Sequence, residues 1–259
     1  MPLSSFSATQ WALGALAAWL IGVSKTGIPG AGVLVVPLMA LVFERREGVG
    51  ATLLLLLVAD VFAVAWYRQH ARWDTLRALA PWVVLGIGIG AGALLLLGED
   101  AQGRDQVNRV IGALVLIMLG LNLARAALSA SLQPHSKLGV ALTGSAAGFA
   151  TAVSNAAGPI LTVYLTALQL PKLAFIGTTA WFFLIFNAAK VPIYAALTAL
   201  DPARALFTTR GLLFDFALLP MIVLGVLAGR WVLPRVPQAW FNAAALSLAA
   251  IAALRLVLG

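Results

Sequence analysis

Long apolar runs, separated by short polar patches, fill the chain from Trp11 to its end. Runs such as TLLLLLVADVFAVAW do not alternate apolar and polar positions, so they predict helices and not the strands of a membrane barrel. A run of about 20 residues is long enough for a helix to cross a hydrocarbon core of about 30 Å. The predicted spans are 50–67, 79–97, 107–127, 174–198, 211–231 and 239–258.

Two further apolar segments, 11–43 and 138–168, are interrupted by glycine and proline. The first break reads GVSKTGIPGAG and the second reads SNAAGP. Non-helical backbone within hydrocarbon must be buried in protein or line a wet cavity, because unsatisfied amide and carbonyl groups cost several kcal/mol each. The breaks therefore predict a cavity. Half-helices beginning near Pro29 and Pro159 would point their N-termini into it, which predicts an anionic ligand.

The chain also resembles itself at a shift of 127 residues. WDTLRALA aligns with LDPARALF, and the same shift pairs Gly50 with Gly177. We interpret this as two homologous repeats, 1–128 and 129–259, that form one integrated membrane domain. If each interrupted segment folds back as a hairpin, three net crossings remain and the second repeat is inverted; if each crosses once, the repeats are parallel. The distribution of lysine and arginine among the loops favours inversion.

Composition agrees with this pattern: 62% of the residues are apolar, 10% are charged and the mean hydropathy is +0.99. The sequence therefore predicts an all-α polytopic membrane protein in which each repeat has one interrupted or hairpin helix and three transmembrane helices. The formal charge of +8 is scattered singly over short loops, which indicates membrane lipids or an anionic solute as partners, and not nucleic acid.

Metal, cofactor and enzyme chemistry are not expected. The chain has no cysteine, and its two histidines lie outside the predicted spans, so we predict no metal site and no cofactor. No H-E-x-x-H or G-x-S-x-G motif is present, so we do not predict an enzyme.

Charged and polar side chains inside the apolar segments are the candidate functional residues. A charge at mid-membrane costs roughly 2.5 to 3.5 kcal/mol on insertion scales, so it needs a partner or a role. The predicted anion-binding residues are Lys25, Thr26, Gly30, Ser154, Asn155, Gly158, Asn187 and Lys190. Alternatives stay open: Lys25 or Lys190 could pair with Asp60 as a purely structural contact, either lysine could lie at a membrane interface, and Asn155 could only cap a half-helix.

Three other polar positions have structural interpretations. Asp215 would pair with Arg210, one to two helical turns earlier on the same helix. Tyr67 and Tyr194 end the polar face of the helix that follows each break, and they are expected to be anchors at the membrane interface rather than ligands.

A resemblance to a known family rests on the residues of both breaks. SKTGIPGAGVLVVPLMALVF, together with AVSNAAGPILTVYLTALQLPKLAFIGTTAWFFLIFNAAKVPIY, resembles the TauE/SafE sulfite exporters, also called toluene sulfonate uptake permeases. The resemblance implies a multi-pass carrier of the cell inner membrane that moves sulfite, sulfonates or related small organic anions. It also implies that the segments around Lys25 to Pro37 and Asn155 to Val163 line the site. GIPGAG and SNAAGP replace the three or four consecutive glycines of the common family pattern.

These features predict a secondary transporter that gives alternating access to a midplane site shared by both repeats. Asp60 is the predicted coupling residue, for a proton or a sodium ion, because a carboxylate beside lysines can change its protonation with substrate occupancy. An anion channel and a non-transporting membrane assembly subunit are the alternative functions.

Overall fold

A computed structural model of the chain describes residues 6–43, 47–96, 109–113, 115–120 and 136–258. Within these ranges 89% of the residues are helical and none lies in a strand, which confirms the all-α fold class. The helices are α1 (Ala8–Thr26), α2 (Val35–Val42), α3 (Glu47–Tyr67), α4 (Trp73–Leu96), α5 (109–113 and 115–120), α6 (Lys137–Ser154), α7 (Ala157–Ala167), α8 (Lys172–Leu200), α9 (Thr209–Val232) and α10 (Gln238–Leu258).

Five helices in the described ranges, α3, α4, α8, α9 and α10, are long and apolar enough to cross a membrane. They coincide with five of the six spans that the apolar runs predict. The sixth, 107–127, lies partly outside the described residues, which cover only α5 of it. The chain is therefore a multi-pass membrane protein.

The first interrupted segment folds back as a hairpin. The side chain of Ser7 begins α1 by accepting from the backbone amide of Gln10, and α1 ends at Thr26, inside the break. Gly30 then turns the chain with a left-handed φ of 91°, and a 3₁₀ turn at Ala31–Leu34 leads into α2. Gln10 Nε2, in the first turn of α1, donates to Val42 O at the end of α2 over 3.1 Å, so α1 and α2 are antiparallel.

The two breaks differ in where the next helix starts. The prediction of a half-helix beginning near Pro29 is wrong, because the turn at Gly30 and the 3₁₀ turn delay α2 until Val35. In the second break only Asn155 and Ala156 separate α6 from α7, so α7 begins at Ala157, close to the predicted Pro159. Asn155 makes this short turn with a left-handed φ of 55°.

Each half contributes its first helix to a close contact with the other half: α1 packs on α9, and α6 packs on α4. Glycines allow the backbones to touch. A Cβ atom at Gly22 would lie 2.5 Å from Ile222 O, and one at Gly148 would lie 2.2 Å from Val83 O. Close backbone approach through small residues is a usual way for membrane helices to associate. The two largest apolar cores of the described residues lie around α1, α2, α3 and α9 and around α4, α6, α7, α8 and α10.

The helices that follow the breaks, α3 and α8, are antiparallel. A Cβ atom at Gly50, near the start of α3, would lie 1.9 Å from Leu206 O, just beyond the end of α8. One at Gly177, near the start of α8, would lie 2.6 Å from Tyr67 O at the end of α3. Inverted repeats would produce this arrangement. The inversion and the boundary between repeats 1–128 and 129–259 stay predictions, and that boundary lies outside the described residues.

Candidate functional site

A cavity of about 350 Å³ lies where the two breaks meet. Its wall includes residues of both breaks, the first turns of α2 and α7, and the facing sides of α8 and α10. Six of the predicted anion-binding residues line it: Lys25, Gly30, Ser154, Asn155, Gly158 and Asn187. Thr26, Lys190 and the predicted coupling residue Asp60 are buried behind the wall and do not line the cavity.

Lys25 reaches the cavity from the end of α1 and pairs with Asp60 of α3. Its Nζ lies 2.8 Å from Asp60 Oδ1 and 3.6 Å from the centre of the Phe183 ring, so the ammonium has both a counter-ion and an aromatic face. The side chain of Lys25 is 10% exposed and that of Asp60 is fully buried. Lys25 therefore does not reach a membrane interface, and the ion pair left open by the sequence is the one that forms.

Asp60 is also held from the other half of the molecule. Asn187 Nδ2 donates to Asp60 Oδ2 over 2.8 Å. One carboxylate oxygen thus contacts Lys25 and the other contacts Asn187, so α1, α3 and α8 meet at this side chain. Because Lys25 and Asn187 line the cavity, the carboxylate is one side chain away from any molecule bound there.

Lys190 is fully buried, and neutral acceptors surround its Nζ. Its Nζ donates to Thr151 O and to Thr151 Oγ1, both at 2.9 Å, and to Asn155 Oδ1. The alternatives of an interface position or a pair with Asp60 are both wrong. These three hydrogen bonds give the Lys190 Nζ acceptors for its N–H groups, but none of the acceptors carries a negative charge. In their ionised forms Lys25, Lys190 and Asp60 leave this region with one positive charge more than negative.

Asn155 holds Lys190 in place. Its Oδ1 accepts from Lys190, and its Nδ2 donates to Val49 O at the start of α3 over 3.0 Å. Both ends of the amide are therefore occupied by the protein. Thr26 faces away from the cavity, since its hydroxyl lies 2.8 Å from Val226 O of α9, to which it donates.

The two tyrosines are not interface anchors, which corrects the expectation from sequence. Tyr67 is 7% exposed and Tyr194 is 1% exposed. Tyr67 OH donates to Thr26 O at the end of α1 over 3.2 Å, and Tyr194 OH donates to Ala152 O near the end of α6 over 2.8 Å. Each hydroxyl thus satisfies a carbonyl that the break leaves without a helical partner. The sequence signal for this shared role was that Tyr67 and Tyr194 occupy matching positions in the two predicted repeats.

Comparison with known proteins decides the family. The model of the family Sulfite exporter TauE/SafE matches residues 13–256. The chain belongs to the TauE/SafE family. No curated protein and no solved structure matches it. TauE/SafE proteins are transporters and not enzymes, and this multi-pass chain fits that description.

Two arginines of this TauE/SafE protein line the cavity although the sequence did not single them out. Arg109 belongs to α5 and Arg255 to the last turn of α10, and both are exposed. The two helices pack closely, since a Cβ atom at Gly112 would lie 2.6 Å from Ala253 O. Neither guanidinium has an ion-pair partner among the residues that the structure describes. Each arginine stands alone in an apolar segment, so no motif marked it.

The cavity of this family member combines positive charge with an apolar wall. Lys25, Arg109 and Arg255 line it, and no carboxylate lines it within the described part of the chain. Apolar surface comes from side chains of several helices, among them Val36, Leu56, Phe183, Leu248 and Leu256. No group of three histidine, aspartate or glutamate side chains in the described ranges could hold a metal ion. The arrangement suits an oxyanion that carries an apolar body.

Proposed function

We propose that this TauE/SafE protein is a secondary carrier of a small anion: sulfite, an organosulfonate or a related organic acid. One observation carries the proposal. The cavity between the breaks is lined by three cationic side chains, Lys25, Arg109 and Arg255, and by no carboxylate within the described residues. A fourth basic side chain, Lys190, lies behind the wall with only neutral hydrogen-bond partners.

An anion in the cavity would gain most from Lys25, whose side chain is only 10% exposed, because charge interactions strengthen where water is excluded. Arginine presents a planar fork of N–H donors that matches two oxygens of a sulfonate or carboxylate. The first turn of α7, at Gly158, adds backbone N–H groups without a helical partner.

The cavity volume favours an organic anion over sulfite alone. A water molecule occupies about 30 Å³ in the liquid. A cavity of about 350 Å³ is many times larger than that, so a bare sulfite would fill only part of it. Phe183 and Leu248 give an apolar body a wall to contact. We therefore infer that organosulfonates or comparable organic acids are better substrates than sulfite.

Asp60 is the proposed coupling residue of the cavity. A bound anion would compete with Asp60 for Lys25, because the Lys25 ammonium is already 2.8 Å from the carboxylate. Weakening that pair would favour uptake of a proton or another cation by Asp60. Charge carried by the substrate would then be compensated at the same place. Alternating access would follow from rocking of the two halves around the contact between α3 and α8.

A flux screen in proteoliposomes tests the proposal. Sulfite, alkyl and aryl sulfonates and small carboxylates are compared for the wild type, Lys25→Met and Lys190→Met. Lys137→Met is the matched control, because Lys137 is exposed at the start of α6 and does not line the cavity. We expect the best anion to be carried by the wild type and the control, and to be carried poorly by the other two variants. Equal flux for all four proteins would contradict the assigned roles.

The same screen separates the alternative functions. Flux that follows only the anion's own gradient, with no dependence on a counter-ion gradient, would indicate a channel. No flux of any anion would indicate an assembly subunit.

A further inference from the structure

A second buried carboxylate lies outside the cavity. Asp215, in α9, is 5% exposed, and neither of its carboxylate oxygens has a hydrogen-bond partner in the described structure. The predicted pair with Arg210 is wrong, because the Arg210 guanidinium stacks 4.2 Å from the centre of the Phe6 ring. Asp215 does not line the cavity. It is therefore an ionisable group that the proposed anion site does not use.

Among the residues that the structure describes, none brings a positive charge into contact with Asp215. α9 packs on α1 and α3. The part of α1 before Lys25 carries no charged residue. From α3 the nearby charged group is Glu47, whose Oε1 would lie 3.6 Å from a Cβ atom at Gly211, one turn before Asp215. Glu47 has the same sign as an ionised Asp215, and it accepts a hydrogen bond from Thr208.

Asp60 and Asp215 differ in the way that matters for a proton. Asp60 is equally buried, but Lys25 contacts one of its oxygens and Asn187 contacts the other. Within the described ranges, Asp215 has neither a counter-ion nor a donor. A buried carboxylate with no partner is strongly disfavoured in its charged form, so it must hold a proton or bind a cation. Its carboxyl group alone can bind a proton, whereas a metal cation needs several oxygen ligands.

We propose that Asp215 is a proton-binding site separate from the anion cavity, and that it exchanges its proton as the anion moves. The first part stands on the geometry of Asp215 alone. The second part rests on the proposed function, since it needs a transported anion.

The helix α1 supplies the physical link between Asp215 and the cavity. A Cβ atom at Gly14 would lie 2.5 Å from the ring of Phe214, next to Asp215, and one at Gly27 would lie 2.5 Å from Gly229 Cα. α1 thus touches α9 from the level of Asp215 to the first break, where it carries Lys25. A displacement of α1 that changes access to Lys25 must either carry α9 with it or open this contact. In both cases the surroundings of Asp215 change.

Infrared difference spectroscopy tests the proton directly, without any transport. The purified wild type should show the C=O stretch of a protonated buried carboxyl group at neutral pH, and Asp215→Asn should lack it. Asp74→Asn is the control, because Asp74 is exposed and paired with Arg72 over 2.8 Å, so it should leave the band unchanged. An Asp215→Asn spectrum identical to the wild type in this region would overturn the proposal. Asparagine copies the shape of a protonated aspartate, so an Asp215→Asn protein that no longer folds would also count against it.

Proteoliposome flux tests the exchange. An imposed pH gradient should accelerate anion flux through the wild type. This stimulation should fall about twofold or more in Asp215→Asn, where any coupling through Asp60 remains, while flux driven by the anion's own gradient persists. Full stimulation in the variant, or stimulation by sodium in place of the pH gradient, would overturn the exchange. A wild type that carries no anion at all would instead refute the proposed function and leave the infrared result standing.

Discussion

Asn187 Nδ2 donates to Asp60 Oδ2 over 2.8 Å, and these two residues are 127 positions apart, the shift at which the chain resembles itself. Residues at matching places in the two halves therefore contact each other, which places Asp60 and Asn187 at the junction of α3 and α8. The junction is chemically asymmetric. One half contributes a carboxylate paired with Lys25, and the other contributes an amide and Lys190.

The asymmetry places two lysines and one carboxylate beside the cavity. The position of Lys190 is occupied in the first half by Ala63. Asp60 can neutralise only one of the two lysines, and it contacts Lys25. Among the described residues Lys190 has only neutral hydrogen-bond partners, and its Nζ lies inside a cage of Thr151 and Asn155 acceptors, directly behind the wall. A site built from two identical halves could not hold this combination.

The ion pair predicts a large stability effect for Asp60→Asn. Removing the carboxylate leaves the Lys25 ammonium largely buried without a counter-ion, which costs about 3 to 5 kcal/mol for buried pairs. The double variant Lys25→Met/Asp60→Asn should recover part of this loss, because no unpaired charge is left. Thermal or denaturant unfolding of the purified protein measures both effects.

The exposed pair of Arg72 and Asp74 provides the control for that measurement. The two side chains lie 2.8 Å apart but are 51% and 63% exposed, so Asp74→Asn should cost at most about 1 kcal/mol. If Asp60→Asn cost no more than Asp74→Asn, the buried pair would not stabilise this fold.

The arginines of the cavity predict an effect on apparent affinity. Arg109→Gln and Arg255→Gln should each raise the KM for the best anion roughly tenfold or more, which corresponds to the loss of about 1.5 to 3 kcal/mol from a charge-assisted hydrogen bond. Arg77→Gln is the control, since Arg77 is exposed on α4 and does not line the cavity. Initial rates of flux over a range of anion concentrations give the KM. Unchanged KM in both cavity variants would exclude a direct contact with the anion.

The helical architecture was predictable from sequence because the membrane sets it. Helix length follows from the thickness of the hydrocarbon, and the breaks at GIPGAG and SNAAGP follow from the cost of non-helical backbone. The hairpin could be recognised only in the structure, because a break in a helix does not show whether the chain turns back or continues across the membrane. Gly30 and the hydrogen bond from Gln10 to Val42 make it turn.

The partners of the polar side chains were less predictable. The spacing of Asp60, Asn187 and Lys190 placed them on inward faces, but which lysine meets Asp60 depends on how α1 folds against α3. The burial of Tyr67 and Tyr194 depends on the positions of the ends of α1 and α6. These are relations between helices, and a pattern along one helix does not contain them.

The glycine at the start of α7 predicts a way to block the cavity without damage to the fold. Gly158 lines the cavity, and a Cβ atom there would meet nothing within 4 Å. Gly158→Leu should therefore place its side chain in the cavity and abolish anion flux. Gly88→Leu is a matched control, because Gly88 has equally open space but is exposed on α4, away from the cavity. Both proteins should unfold near the wild-type temperature, and undiminished flux in Gly158→Leu would mean that the anion takes another path.

The tyrosine hydroxyls predict that the ends of the interrupted helices are held by single hydrogen bonds. Tyr194→Phe removes the donor to Ala152 O, and Tyr67→Phe removes the donor to Thr26 O, each at a cost of about 0.5 to 1.5 kcal/mol or more if the carbonyl stays dry. Ala152 and Thr26 adjoin the breaks, so we also expect a change in flux beyond the change in stability. Tyr164→Phe is the control, because the Tyr164 hydroxyl makes no hydrogen bond in the described part of the chain although its side chain is buried. Unfolding temperature and flux are measured on all three variants. Tyr164→Phe could have the same effect as the other two variants on unfolding temperature and on flux. In that case the loss of a tyrosine hydroxyl in general, and not the loss of the hydrogen bonds to Thr26 O and Ala152 O, would explain the effect.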